Sequence, residues 1–117
     1  MELVQQALGA LVGRGDVAGA AVVSAEGLVI VSRLAPQVDA EAVAALGTTL
    51  MRDGGQLARQ VGRGAAARVL VEAEGGMLLA CGLSDGTVLV VVAEEGAAVG
   101  QLLYDLRLQR GALAALL

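Results

Sequence analysis

Apolar positions along the chain change their spacing several times, and each change predicts an element. Over residues 2–14, Val4, Ala7, Leu8, Leu11 and Val12 share one helical face, while Glu2, Gln5 and Gln6 lie away from it. Gly13 and Gly15, around Arg14, end that helix. Residues 17–24 and 28–32 then read as two strands joined by the tight turn Ala25-Glu26-Gly27, a β-hairpin. Pro36 breaks the strand pattern, and Asp39 is placed to cap a long helix over about residues 40–62. Three further strands follow, Arg68–Glu74, Met77–Leu83 and Thr87–Ala93, with turns at Gly75-Gly76 and Asp85-Gly86. A last helix over about 97–115 carries Val99, Leu102, Leu103, Leu106 and Leu113 on one face.

The order is helix, two strands, long helix, three strands, helix. Short links between strands imply antiparallel pairing, and the middle helix must cross one face of the sheet. The fold class expected is α+β: a five-stranded antiparallel sheet with the central helix on one face and the terminal helices on the other, as a single domain over 1–117.

The middle helix divides into three strips at about 100° per residue. Glu41, Thr48, Thr49, Arg52, Gln56, Arg59, Gln60 and Arg63 form a polar arc. Val43, Leu46, Leu50, Leu57 and Val61 form a narrow aliphatic stripe, expected to lie on the sheet. Beside it run Ala44, Gly47, Met51, Gly54, Ala58 and Gly62. Glycine inside a helix costs up to about 1 kcal/mol relative to Ala. One explanation of the small strip is close packing of a second copy of the helix in a symmetric dimer. The other is a helix break or kink at Asp53-Gly54-Gly55. The strand after it, with Arg68, Leu70 and Glu72, is a candidate edge that could pair with its twin or carry charges that prevent pairing.

Composition narrows the chemistry. Of the 117 residues 56% are hydrophobic, yet there is no Phe or Trp, and Tyr104 is the only aromatic, which weighs against flat stacking ligands. Charges interrupt every apolar run, so no membrane span is expected, and the N-terminus does not read as a secretory signal. A cytoplasmic location is the expectation. The net charge is −4 and the eight basic residues, all Arg, are scattered, so nucleic acid is not an expected partner. With no His and one cysteine, Cys81 in an apolar strand, there is no triad, His-based metal site or internal disulfide. No catalytic residue, cofactor or metal is assigned. Gly13-Arg14-Gly15 and Gly62-Arg63-Gly64 lack the spacing of a phosphate-binding P-loop.

The N-terminal amphipathic helix, the hairpin Val22-Val23-Ser24-Ala25-Glu26-Gly27-Leu28-Val29-Ile30, the Ala/Gly-rich middle helix and the three-strand meander together resemble the Roadblock/dynein light chain family. The likeness spans nearly the whole chain and rests on order and length. It implies homo- or heterodimers built through the middle helix and third strand. It also implies a regulator or scaffold of small Ras-like GTPases, or a dynein light chain.

The expected function is therefore a dimeric regulator or scaffold that binds a small Ras-like GTPase. The alternatives are a small-ligand sensor and a purely structural dimerisation module. The expected dimer interface comprises Ala44, Gly47, Met51, Gly54, Ala58, Arg68, Leu70 and Glu72. The expected partner surface is Thr48, Arg52, Gln56 and Arg59, where an Arg could supply charge in trans or simply face solvent. Tyr104 and Leu108 lie off the apolar face of the last helix, either against the first helix or as a second docking patch. Arg110 falls within that apolar face, with its charged end expected to snorkel out.

Overall fold

The structure is a computed structural model describing residues 1–117. It contains α1 (Glu2–Val12), β1 (Val17–Val23), β2 (Val29–Arg33), α2 (Ala40–Gln60), β3 (Arg68–Ala73), β4 (Gly76–Gly82), β5 (Val88–Glu94) and α3 (Val99–Leu116). The five strands form one antiparallel sheet in the order β2-β1-β5-β4-β3. The expected order and layering are both present.

Local chemistry accounts for the joints. Asp39 Oδ1 accepts from the backbone N–H groups of Glu41 (3.0 Å) and Ala42 (3.2 Å), satisfying two donors that the start of α2 leaves free. In the β4–β5 hairpin Asp85 and Gly86 both have positive φ, at 53° and 80°, and Thr87 N donates to Ser84 O at 3.0 Å. Two successive left-handed residues are what a type I′ turn requires, and its twist matches that of the flanking strands.

The two hairpin groups leave β2 and β3 at opposite edges of the sheet. The chain between them must cross the other three strands, a span of about 19 Å at ~4.8 Å per strand. The 21 residues of α2 reach about 31 Å, enough to make that crossing diagonally. The helix is continuous through Asp53-Gly54-Gly55, so the expected alternative of a break there is not realised.

The sheet separates two cores. On one face α1 and α3 bury Leu8, Leu11, Leu102, Leu106 and Leu113 against Val22, Leu79, Leu89 and Val91. On the other face α2 covers a smaller set, Ala21, Val23, Ala44, Ala80, Val88 and Val90. No polar or charged residue is buried as a whole.

Candidate interaction site

The three strips of α2 are present, but rotated from the expected orientation. Ala44 is fully buried, and Gly47 is buried beside it. A Cβ on Gly47 would stand 2.6 Å from Val90 Cγ2, and one on Gly54 would stand 2.5 Å from Val69 Cγ2. The small strip therefore lets α2 approach its own sheet, whose valines fill the space that side chains on the helix would need. Met51 and Ala58, half-buried, lie on the same side. Ala44 and Gly47 are thereby taken up by the chain's own sheet and offer no surface to a second helix, contrary to expectation, while Met51, Gly54 and Ala58 remain part-exposed.

The aliphatic stripe is displaced in consequence. Leu46, Leu57 and Val61 are 69%, 67% and 62% exposed, where burial on the sheet was expected. Val43 and Leu50 are half-buried. Val43, Leu46 and Leu50 border an apolar groove of about 150 Å³ whose floor includes Leu78, Val90 and Val92. An aliphatic flank of α2 and an uncovered strip of sheet thus form one continuous apolar surface.

The opposite flank is polar. Thr48 is half-buried and its hydroxyl donates to Ser24 O at 3.1 Å, so it fastens α2 to the first hairpin. Arg52 Nη2 donates to Thr49 Oγ1 at 3.4 Å, and that hydroxyl in turn donates to Ala45 O at 3.0 Å. Arg59 folds back over Gly55, with Nη1 3.5 Å from where a Cβ would be. Arg52, Gln56 and Arg59 are exposed. Of the four residues expected on this surface, three face solvent together and Thr48 has a structural partner.

On β3 the side chains alternate between the two faces of the sheet. Arg68, Leu70 and Glu72 stand opposite Cys81, Leu79 and Met77 of β4, on the α1/α3 side. Val69, Val71 and Ala73 point to the α2 side. β3 touches β4 and α2 and presents its outer edge freely, whereas β2, at the far edge, has α1 and α2 against it.

The α1–β1 loop holds a cluster that spacing did not reveal. Arg14 donates through Nε to Asp16 Oδ1 at 2.8 Å and through Nη2 to Asp16 Oδ2 at 3.0 Å, and its Nη1 bonds Asp105 Oδ2 on α3. Gln101 Nε2 also donates to Asp105, at 3.1 Å. The fork geometry of the guanidinium suits this bidentate grip. Hydrogen bonding from Arg14 lowers the pKa of Asp16, and Asp16 raises that of Arg14. The cluster locks the loop to α3. The only sequence signal was an Arg between glycines two residues before an Asp; the partner 91 positions away was not legible.

Cys81 is buried in the α1/α3 core, and burial pushes its thiol pKa up. Arg110 is exposed and its Nε donates to Gly82 O at 2.7 Å, closing the end of β4. Tyr104 and Leu108 are exposed on α3 and do not fill the α1–α3 contact. An open cleft of about 480 Å³ between the β3–β4 turn and the β5–α3 loop is rimmed by Glu72, Glu74, Glu94 and Glu95. No group of three or more Cys, Asp or Glu residues is arranged to hold a metal ion. No helix is long and apolar enough to cross a membrane.

The chain matches the family model of the Roadblock/LC7 domain over residues 3–93. Among solved structures, a Roadblock/LC7 domain from Streptomyces avermitilis is similar at TM-score 0.81 and 26% identity, over 95% of this chain and 91% of that one. MglB of Myxococcus xanthus gives TM-score 0.89 at 17% identity, over 97% and 94% of the two chains. The gliding protein MglB of Thermus thermophilus gives 0.83 at 19%, over 97% and 87%. At such identities the two MglB structures speak for the fold alone. No curated protein sequence matches the chain.

Proposed function

The chain belongs to the Roadblock/LC7 family, and on that footing we propose that it is a dimeric, non-catalytic regulator or scaffold that binds a small Ras-like GTPase and modulates its nucleotide cycle or localisation. One observation carries the reading: α2 exposes two flanks of opposite character on either side of its buried strip. The aliphatic flank, Leu46, Leu57 and Val61, is too apolar to be left in water without cost, since each such side chain gains about 1.5–3 kcal/mol on full burial. It suits self-association. The polar flank, Arg52, Gln56 and Arg59, stays free when the aliphatic flank is covered, and a dimer displays it twice.

Binding of that polar flank to the switch loops of a GTPase would shift their population towards one state, in proportion to its differential affinity for the two. The chain has no P-loop of its own, so the nucleotide belongs to the partner. The family resemblance supports a Ras-like partner, and the clustering of two arginines with a glutamine supports a surface that recognises acidic or phosphate-bearing loops.

The test is co-purification with GTPases loaded with GDP or with a non-hydrolysable GTP analogue, followed by hydrolysis assays. Arg52→Ala and Arg59→Ala are expected to weaken binding or alter turnover while the fold persists. If both variants bind and support hydrolysis as the parent does, the polar flank is not the partner surface. A dimer at micromolar concentration in sedimentation equilibrium, dispersed to monomer by Leu57→Glu, is the expected state of the chain alone.

A further inference from the structure

The outer side of the α1/α3 layer is a second apolar surface, and the function proposed above does not use it. We infer that the groove between α1 and α3 docks an amphipathic helix of another protein, one that carries a carboxylate beside its apolar stripe. The groove lies across the sheet from α2, so its occupant is independent of the GTPase.

α3 is apolar on two sides. Leu102, Leu106 and Leu113 point into the core. The opposite side carries Tyr104 and Leu108, 56% and 62% exposed, with Ala112 and Ala115 following at helical spacing. A helix apolar on both sides is normally covered on both.

α1 extends the same surface. Leu3, Ala7, Ala10 and, just past the helix end, Arg14 recur every three or four residues and so share a side. Arg14 reaches Asp105 of α3, which places Leu3, 59% exposed, on the α3 side of α1. On α3, Asp105, Leu108, Ala112 and Leu116 share the matching side by the same spacing. α1 arrives at the end of the sheet where Val17 pairs with Ala93, and α3 leaves from that end, so the two helices are antiparallel. From the Arg14–Asp105 contact to Leu3 the groove runs about three turns, or ~16 Å. Its leucines are separated by alanines, which leaves room for the side chains of a third helix. A helix with anchors at i, i+4 and i+7 fits that length.

Two polar features select the occupant. Gln109 lies between the buried row of Leu106 and Leu113 and the groove row of Asp105 and Ala112, and its Oε1 is buried without a hydrogen-bond partner. A hydroxyl or amide donor on the occupant would satisfy it. Arg107, three residues from Tyr104, is exposed and takes part in neither ion pair of the chain. Asp105 is already held by Arg14 and Gln101, and Glu2 falls on the other side of α1. On a chain of net charge −4, the free charge beside this groove is therefore positive. A carboxylate at the edge of the docked stripe complements it, while the net charge of the whole chain opposes an anionic bilayer.

The probe is a phage-displayed library of helical peptides, selected on the immobilised chain and counter-selected on Leu108→Glu. Leu108 is exposed, so that variant is expected to keep the parent's circular dichroism. The expected winners carry apolar residues at i, i+4 and i+7 with Asp or Glu beside them. Made as a synthetic peptide, the leading winner is expected to bind Leu108→Glu about tenfold or more weakly than the parent in fluorescence anisotropy. It is expected to bind Arg107→Glu about threefold more weakly, and a Lys in place of its acidic residue is expected to restore binding to that variant. Arg52→Ala and Arg59→Ala are expected to bind the peptide as the parent does, whatever they do to GTPase binding. No enrichment over the counter-selection, winners that are basic or uncharged, or binding that depends on Arg52 or Arg59 would overturn the inference and leave the GTPase surface untouched. Flotation of the parent with phosphatidylserine vesicles, or a higher oligomer in sedimentation equilibrium, either one lost in Leu108→Glu, would give the groove to a membrane or to a second copy and overturn it as well.

Discussion

The two faces of the sheet are covered by different kinds of helix surface. On the α1/α3 face, five leucines from the helices interlock with strand side chains and are excluded from water. On the α2 face, an alanine and glycines meet valines at the centre, Val43, Leu50 and Met51 pack partly buried beside them, and Leu46 and Leu57 stand exposed to one side. The first face is complete within one chain. The second is close-packed at its centre and leaves an apolar margin. The difference shows that the most hydrophobic side of a helix need not be the side it buries in its own domain. Where the sheet already supplies bulky β-branched side chains, the helix must supply small ones, and its large ones become a surface.

Truncating a leucine on each face puts this contrast to its most demanding test. Leu106→Ala, in the closed core, is expected to cost about 2–5 kcal/mol in urea unfolding through lost burial and the cavity left behind. Leu46→Ala, on the open flank, is expected to change the stability of the monomer by no more than about 0.5 kcal/mol, measured at concentrations low enough to dissociate any dimer. Equal losses at the two sites would contradict the placement of α2.

A smaller effect separates the glycines. Gly47→Ala sets a methyl group against Val90, whose branched side chain has little freedom to move, and is expected to destabilise by about 1–2 kcal/mol despite the gain in helix propensity. On α3, Gly111 has nothing within 4 Å of a Cβ, so Gly111→Ala is expected to stabilise by about 0.5–1 kcal/mol. The same substitution thus changes sign between the two helices, and thermal melts of the two variants check it.

The pH dependence is smaller again and belongs to the α1/α3 side. The Asp16 carboxyl has a lowered pKa in the folded chain because Arg14 bonds its charged form. Its contribution to stability is therefore present above the ordinary carboxylate range, near pH 4, and is lost as pH falls through the folded value. Asp16→Asn is expected to be less stable than the parent at pH 7, with the gap narrowing at pH 3, as read from urea midpoints. The raised pKa of Cys81 has the opposite sign. The unfolded thiol ionises first as pH rises past about 8.5, so that group's contribution declines in alkali. Native Cys81 is expected to react with an aromatic disulfide reagent only after denaturant is added.

Much of the molecule was legible in the residue pattern. Asp39 marked the start of α2, Asp85-Gly86 marked a two-residue hairpin turn, and the changes of period separated all eight elements in their order. These features depend on contacts within a few residues. The three strips of α2 were equally legible, and so was the polar flank holding Arg52, Gln56 and Arg59. The Arg14–Asp105 contact was not, because it joins residues that only the folded chain brings near.

The period, polarity and relative angles of the strips on α2 follow from the order of its residues, since 3.6 residues per turn leave no choice in them. Which strip meets the sheet follows only from packing in the folded chain. That choice depends on the volumes facing the helix: Val69 and Val90 project from strands that are distant in the chain and leave room for glycine alone. A helical wheel contains no information about the shape of its partner. The packing of α2 on those two valines turned Leu46 and Leu57 outward and placed the polar flank opposite them.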